Sequence, residues 1–582
     1  MTRQITLRVG NVETIIPVSR VSTEVFKTGQ WSSRKPSYRQ KLSPCREACP
    51  TGNNIPAMIS HASKGDFDGA LALLLQENPL PGVCGRVCYH PCQTKCNRKE
   101  FDETVEIRAL ERAIADLGNA TPPTGSNPED RKTAIAVIGS GPAGLSAAYF
   151  LRLFGHKVTV FESRREAGGV LRYGIPEYRL PKDILAREIG RILALGIDLK
   201  TDERINGDGL ERLQKEFEYI FLGIGAWLPE KLGAVPDEGG PILYGLDFLC
   251  DERKKDLCRG KKNVVVIGGG DVAVDVARTA RRLAGPETVI TMVAPEKEGD
   301  FPAIPEGIGE AKEEGISMRG EYRPVQFLGR DRLEQVRLAR TRVEKEPVTG
   351  KYVLSQGEGD DLLIDADMVL ISIGQRADTG LFLPEIIDKD FSRVFVNSFG
   401  MTPLPRFYAG GDLVRQKPAV ADAILSGKRA ALSIHLKANG YDAERIMPAL
   451  ALGQGSSLSM GAYNENGRID LKKVAQFADL TTLLCRKTKP NAQAKSPPEA
   501  RVTGFREVTK GLDRHAAIDE AKRCFYCGSC NGCDLCFFLC PDISIMKEGD
   551  RMYSVKTDYC KGCGICATIC PRDVIELEER LP

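Results

Sequence analysis

The stretch that decides the fold is residues 133–162, TAIAVIGSGPAGLSAAYFLRLFGHKVTVFE. It reads as strand, glycine turn, helix, second strand and a closing acid. Gly139, Gly141 and Gly144 take the G-x-G-x-x-G positions after the apolar run 134–138, with Ser140 and Ala143 in the same turn. The first glycine makes the tight turn, the second leaves room for a pyrophosphate, and the third lets helix and strand pack closely. The helix N-terminus adds free N–H groups and a partial positive charge. Glu162 ends the second strand, where a carboxylate accepts hydrogen bonds from both ribose hydroxyls. With strand, helix and acid in register, the stretch predicts a dinucleotide site rather than a bare αβ turn.

Two further features specify the dinucleotide. Gly168, Gly169 and Val170 follow Glu162 closely, and FYAGGDLV places Gly410, Gly411 and Asp412 much later in the chain. Asp412 at a strand end can accept from a ribityl hydroxyl, and the helix expected from about Ala419 can support a flavin pyrimidine. Together they point to FAD. A second unit, NVVVIGGGDVAVDVARTARRLAG at 263–285, repeats the logic with Gly268, Gly270 and Ala273, and with Asp271 opening its helix. Its next strand, 288–293, leads to Glu296 and Lys297. No arginine occurs from 288 to 318 to pair with a 2′-phosphate, whereas Glu296 suits a 2′-OH. The expectation is therefore NAD, with NADP left open by Lys297. FLGIGAW and LISIGQR, carrying Gly225 and Gly374, read as the strands that connect the two nucleotide domains.

The chain holds 19 cysteines among 582 residues, crowded at its two ends. Cys530-x2-Cys533-x2-Cys536-x3-Cys540-Pro and Cys560-x2-Cys563-x2-Cys566-x3-Cys570-Pro are two copies of the bacterial [4Fe–4S] run. In that run each triplet wraps one cluster and the fourth cysteine crosses to the other. Cys530, Cys533, Cys536 and Cys570 are the expected ligands of one cluster; Cys560, Cys563, Cys566 and Cys540 are those of the second. Zinc would not need the doubled run. Cys524 and Cys527 add one more Cys-x2-Cys, with no spacing argument to decide their role. At the other end stand Cys45, Cys49, Cys84, Cys88, Cys92 and Cys96, on both sides of a helical pattern at 55–75. Six thiols suffice for one all-cysteine cluster; a zinc-stabilised helical cap is the other reading.

Composition agrees. Lys+Arg at 81 against Asp+Glu at 78 leaves a net charge of +3, too balanced for an obligate nucleic-acid or membrane-surface binder. No run of 18 apolar residues occurs, and the opening MTRQITLRVG lacks the apolar core of a signal peptide. The expectation is a cytoplasmic protein whose cysteines hold metal rather than disulfides. The chain divides into an extension (1–43), a helical cap (44–119), a first FAD segment (130–255), an NAD(P) lobe (256–380), a second FAD segment (381–445), a linker (446–515) and a ferredoxin domain (520–582).

SPCREACP, NPLPGVCGRVC, VIGSGPAGL, GGVLRYGIPEYRLP, VIGGGDVAVD and AGGDLV together resemble the small subunit of bacterial glutamate synthase and the N-terminal half of dihydropyrimidine dehydrogenase. The likeness covers about 44–440. It implies an α/β fold of two Rossmann-like lobes with an iron–sulfur cap, Glu162 on the FAD ribose, Arg179 on FAD and Asp412 on the ribityl chain. It also implies Cys45, Cys49, Cys88, Cys92 and Cys96 as cap ligands and ranks Cys84 last, since that position holds no ligand in the family. The family's upstream Cys-x2-Cys is absent from 31–43, so one of two cap clusters is expected to be missing. Its arginine pair for NADP is absent too. The C-terminal domain is similar to the ferredoxin-type δ subunit of 2-oxoacid:ferredoxin oxidoreductases, in CPDISI and DYCKGCGICATICP.

The expected activity is an electron relay between clusters, FAD and a nicotinamide, with FAD carrying the hydride and no catalytic side chain required. The expected partners are other subunits of a redox complex: a thiamine-diphosphate 2-oxoacid oxidoreductase of the phenylglyoxylate dehydrogenase type, and ferredoxin-type proteins. A stand-alone NAD(P)H:ferredoxin reductase, a glutamate synthase small subunit and a non-catalytic wiring subunit are the rival readings.

Overall fold

The computed structural model describes residues 4–9, 12–17, 25, 27–123, 133–233, 240–330, 332–345, 352–380, 386–388, 392–464, 469–549 and 551–580. The chain forms two compact units. One comprises Cys45–Asn466 and Thr488–Cys524, the other Met1–Pro44, Gly467–Lys487 and Phe525–Pro582.

The larger unit is built on two five-stranded parallel sheets. In the first, the order is Phe407–Ala409, Tyr219–Leu222, Ala134–Ile138, Lys157–Phe161, Asp198–Lys200. In the second it is Ile242–Tyr244, Met368–Ile371, Asn263–Ile267, Val289–Val293, Ser317–Arg319. Near-continuous apolar runs such as AIAVI and NVVVI form the central strands because both faces are covered. Between the last two strands of the second sheet in chain order, an antiparallel sheet (Tyr322–Leu328, Gln335–Lys345, Tyr352–Gln356, Leu362–Asp365) closes one face. The lobes are joined twice. Leu228–Pro229 and Gln375–Arg376 run antiparallel, and Glu230 N–H donates to Gly374 O at 3.0 Å.

The helix Val420–Ala438 lies on Pro142–Leu153, so close that a Cβ on Gly427 would stand 2.2 Å from Ala143 O. Its Lys428 is wholly buried, and the ammonium donates to Thr51 O at 2.5 Å, Glu77 Oε2 at 2.8 Å and Leu458 O at 2.9 Å. A buried ammonium survives only when so satisfied, and these bonds tie the first lobe to the cap. The cap consists mainly of Ile55–Ala62, Phe67–Glu77, Pro81–Val87 and Ile107–Leu117. The helical pattern at 55–75 is two helices, broken at 63–66, where Asp66 accepts from Gly69 N–H at 2.9 Å as an N-cap.

Residues 446–515, expected as a linker, contain ordered elements. Within the larger unit, Ser496 N–H donates to Val508 O at 2.9 Å and Lys510 N–H to Ala494 O at 2.7 Å. Val508 N–H reaches Tyr178 O at 3.0 Å, and Arg112 Nη1 reaches Thr509 O at 2.8 Å. The segment carries little apolar periodicity because its order comes from backbone bonds and from arginines elsewhere in the chain.

In the smaller unit the hairpin Ile545–Gly549/Met552–Val555 accompanies the strand Ile575–Glu579. That strand pairs antiparallel with Arg34–Tyr38, and Gln40–Leu42 pairs with Ile469–Val474. The 1–43 extension thus supplies strands to the ferredoxin unit, and Lys41 binds Asp573 at 2.6 Å and Glu576 at 2.8 Å. Among the described residues no helix is long and apolar enough to cross a membrane.

Candidate functional site

The first glycine turn leaves strand Ala134–Ile138 and enters helix Pro142–Leu153. A Cβ on Gly144 would stand 1.9 Å from Gly139 O, so only glycine lets this helix start so near its strand. A Cβ on Gly141 would meet nothing closer than Gly223 O at 4.0 Å; the space beside the turn is open. Glu162 is buried, and its carboxylate is held at both oxygens. Oε2 accepts from Ser140 N–H at 3.0 Å and Ser140 Oγ at 2.5 Å, and Oε1 accepts from Arg164 N–H at 2.9 Å. Gly168 N–H binds Ser140 O at 3.1 Å, and Gly169 (φ 55°), leading into Val170, lies against Gly141.

The late GGD motif arrives at the same turn. A Cβ on Gly411 would be 3.0 Å from Ala143 Cβ, and Gly411 N–H donates to Ser426 Oγ at 2.8 Å. Burial raises the Asp412 carboxyl above its ordinary range, Arg393 opposing the shift and Asp422 adding to it. A partly buried carboxyl beside the open turn has the chemistry to accept from a ligand hydroxyl.

The second turn has the same construction. Gly268 (φ 135°) would bring a Cβ to 2.3 Å from Ser372 O, Ala273 is buried, and Gly270 has nothing within 4 Å. Asp271 Oδ1 accepts from Ile304 N–H at 3.0 Å and so pins the loop that follows the second strand. The strand ends match bond for bond. Gly139 N–H donates to Phe161 O and Gly268 N–H to Val293 O, both at 2.8 Å. Glu162 N–H donates to Lys200 O at 2.8 Å, as Ala294 N–H does to Arg319 O at 3.1 Å. Asp202 N–H donates to Arg164 O at 3.1 Å, as Glu321 N–H does to Glu296 O at 2.8 Å.

This correspondence corrects the reading of Glu296. The residue matching Glu162 is Ala294, fully buried; Glu296 stands two residues later and matches Arg164. The strand ends at Val293, and the sequence window offered no means of counting from its last bonded pair. Arg179, which the resemblance places on FAD, has a partner within the protein. Its guanidinium pairs with Asp275 at 2.7 Å, on the helix Asp271–Ala284 of the second lobe.

In the smaller unit, Cys533, Cys536 and Cys570 lie within electrostatic range of Cys530, and Cys560, Cys563 and Cys540 within that of Cys566. Burial pushes the Cys566 thiol up to about 11. Cys540 feels burial too, but hydrogen bonds from the Ser544 hydroxyl and N–H outweigh it and leave the thiol below its ordinary value. Tyr38, from the N-terminal strand, stands beside Cys536, a placement the sequence did not signal.

In the cap, Cys49, Cys84, Cys88 and Cys92 line one cavity together with Glu111. Burial pushes Cys88 up to about 12 and Glu111 up to about 8, although the Asn53 and Asn78 amides each donate to Glu111 Oε1 at 3.0 Å. Cys45 lies within electrostatic range of Cys92. Cys96 has other surroundings: N–H groups of Val105 and Arg98, and the guanidinium groups of Arg523 and Arg98. Cys84, which the resemblance ranks last among the cap thiols, lines the cavity with the others, and Glu111 is a cavity residue that sequence reasoning left out; the helical phase of 107–117 put Glu111 on the buried face without announcing it. Buried thiols and a buried carboxyl facing one another fit a metal cluster, whose iron compensates the charge that burial alone penalises.

Pyridine nucleotide-disulphide oxidoreductases match residues 133–427. The 4Fe-4S cluster domain II of dihydropyrimidine dehydrogenase matches 37–122, and a 4Fe-4S binding domain matches 553–576. The chain belongs to the pyridine nucleotide-disulphide oxidoreductases, and it is an NAD(P)H-dependent FAD oxidoreductase with iron–sulfur domains at both ends. Its relatives are subunits. It is 32% identical to the beta subunit of the NADP(+)-dependent formate dehydrogenase of Moorella thermoacetica, over 83% of this chain and 70% of that one. It is 32% identical to the PreT subunit of NAD-dependent dihydropyrimidine dehydrogenase from Escherichia coli K12, over 68% and 90%. It is 29% identical to the small chain of glutamate synthase [NADPH] from the same strain, over 70% and 91%.

Proposed function

We propose that this chain is the nicotinamide-facing subunit of a cytoplasmic redox complex, passing electrons between [4Fe–4S] clusters and NAD(P) through FAD. The observation that carries the reading is the presence, on one chain, of two open glycine turns and C-terminal thiols near one another, Cys530 with Cys533, Cys536 and Cys570, and Cys566 with Cys540, Cys560 and Cys563. Gly139, Gly141, Gly144, Glu162, Gly169 and Asp412 would hold FAD. Gly268, Gly270 and Ala273 would hold the nicotinamide dinucleotide. Cys530, Cys533, Cys536 and Cys570 would hold one cluster, and Cys540, Cys560, Cys563 and Cys566 another. Cys49, Cys88 and Cys92 would hold a cap cluster, with Glu111 as the oxygen donor on the same cavity.

FAD, when bound, supplies the exchange between single electrons and a two-electron hydride. The chain's own part is positional. Ser140 and the N–H of Arg164 fix the Glu162 carboxylate, and the first lobe is clamped to the cap through Lys428, Thr51 and Glu77. No proton-transferring side chain is required.

The partner reading is a 2-oxoacid oxidoreductase, supported by the likeness of 540–571 to the δ subunits of those enzymes. A formate-oxidising partner is the second reading, favoured by a relationship to the Moorella subunit that spans 83% of the chain. Purification of the native complex, with its subunits identified by mass spectrometry, tests both. A thiamine-diphosphate subunit supports the first and a formate dehydrogenase subunit the second. Recovery of the chain alone, with full NAD(P)H:ferredoxin turnover, removes both.

A further inference from the structure

Three of the side chains that differ between the matched strand ends bear on the nucleotide. Where the first lobe carries Glu162, with its carboxylate bonded to Ser140, the second carries the buried methyl of Ala294. An acid at that position accepts from ribose hydroxyls and repels a phosphate; a methyl group does neither. Where the first lobe carries Lys200, the second carries Arg319, each accepting at its backbone carbonyl from the matched N–H. The Lys200 ammonium lies 5.3 Å over the ring of Phe161, its register partner. The register partner of Arg319 is Val293, which offers no ring.

Arg319 closes its strand after the buried Met318 and is exposed. Among the described residues its guanidinium makes no hydrogen bond or ion pair, although acids are near in the chain. Glu298 is taken by Lys312 at 2.6 Å and Glu321 by Arg340 at 2.9 Å. Lys297, also exposed, adds a second positive charge on the segment that follows the neighbouring strand. An unpaired guanidinium fork beside a strand end that lacks the usual acid is suited to a phosphate monoester, which it can bind in two-point fashion.

The geometry points to Arg319 as the group that pairs with a 2′-phosphate on the adenosine ribose, so that the second lobe takes NADP(H). This rests on the reading of that lobe as the nicotinamide nucleotide site. It reverses the expectation drawn from Glu296, whose place in the backbone is that of Arg164 and not of Glu162.

The test is calorimetric binding of adenosine 2′,5′-bisphosphate and of 5′-AMP to the full chain with its flavin and clusters in place. The bisphosphate should bind at least about tenfold more tightly than 5′-AMP, the worth of one charge-assisted hydrogen bond. Arg319→Ala should erase that preference and leave 5′-AMP within about twofold, while Arg319→Lys should keep part of it. Equal affinities in the unaltered chain, or a preference that survives Arg319→Ala, would overturn the assignment. Should neither nucleotide bind, the reading of the lobe itself fails, and the assignment with it. A preference moved by Glu296→Gln but not by either Arg319 variant would return the ribose contact to Glu296.

Discussion

At the end of strand Lys157–Phe161 stands Glu162, gripped by Ser140 and by the N–H of Arg164. At the matching end of strand Val289–Val293 stands Ala294, whose methyl would lie 3.1 Å from a Cβ on Gly269. The backbones around these two residues form the same bonds in the same order. The comparison teaches that a glycine turn and its two strands define where a dinucleotide lies, while the side chains at one strand end define which dinucleotide it is. Divergence there leaves the strand ladder intact, because neither side chain carries a bond in it.

The largest effect should separate glycines that pack from glycines that leave space. Gly144→Ala forces a Cβ to within 1.9 Å of Gly139 O and should cost roughly 3 kcal/mol or more, with loss of flavin. Gly270→Ala meets nothing within 4 Å and should change stability by less than about 0.5 kcal/mol while weakening nucleotide binding. Thermal unfolding followed beside flavin absorbance distinguishes the two. Equal melting temperatures would break the comparison.

Next in size is the acid itself. Glu162→Ala removes charge-assisted hydrogen bonds worth about 1.5–3 kcal/mol each and should let FAD escape on dialysis. Glu296→Ala, at the position matching Arg164, should alter the dissociation constant of either nicotinamide nucleotide by less than about threefold, within what a surface change does. Retention of stoichiometric FAD by the first variant would show that Glu162 serves the turn alone.

The smallest effect concerns how the first lobe is fastened to the cap. Glu188 is fully buried, accepts from Gly82 N–H at 2.7 Å and Val83 N–H at 2.9 Å, and is pushed by burial up to about 7. A carboxyl whose folded value lies above its unfolded one holds its proton more tightly when folded. Its contribution is therefore complete below about pH 4.3 and is lost as pH rises toward 7. The melting temperature should fall between pH 5.5 and 7.5, and Glu188→Gln, neutral throughout, should flatten that slope. An unchanged slope assigns it to other groups.

Much of this was legible in the residues. GSGPAG and GGGDVA lie at strand-to-helix turns because only glycine tolerates 1.9 Å and 2.3 Å approaches of carbonyl oxygens to a Cβ position. Both copies of the doubled cysteine run fall within one compact unit. Less legible were features made by partners distant in sequence. Arg179 pairs with Asp275 of the second lobe, Tyr38 comes to Cys536 on a strand from the far end of the chain, and the polar stretch 488–515 is ordered by Arg112 and Tyr178.

The sequence alone determined that the chain has two nucleotide turns and clustered thiols, because those depend on local spacing: a turn needs its glycines within six residues, and a cluster triplet needs its cysteines within seven. Tertiary structure decided which residue stands at each ribose end and which acid faces the cap thiols. Those placements depend on where a strand's last hydrogen bond falls and on which helix face is buried. Ala294 matches Glu162 only when the bonds to Val293 and Arg319 are counted, and Glu111 meets Cys88 only when its helix packs into the cap.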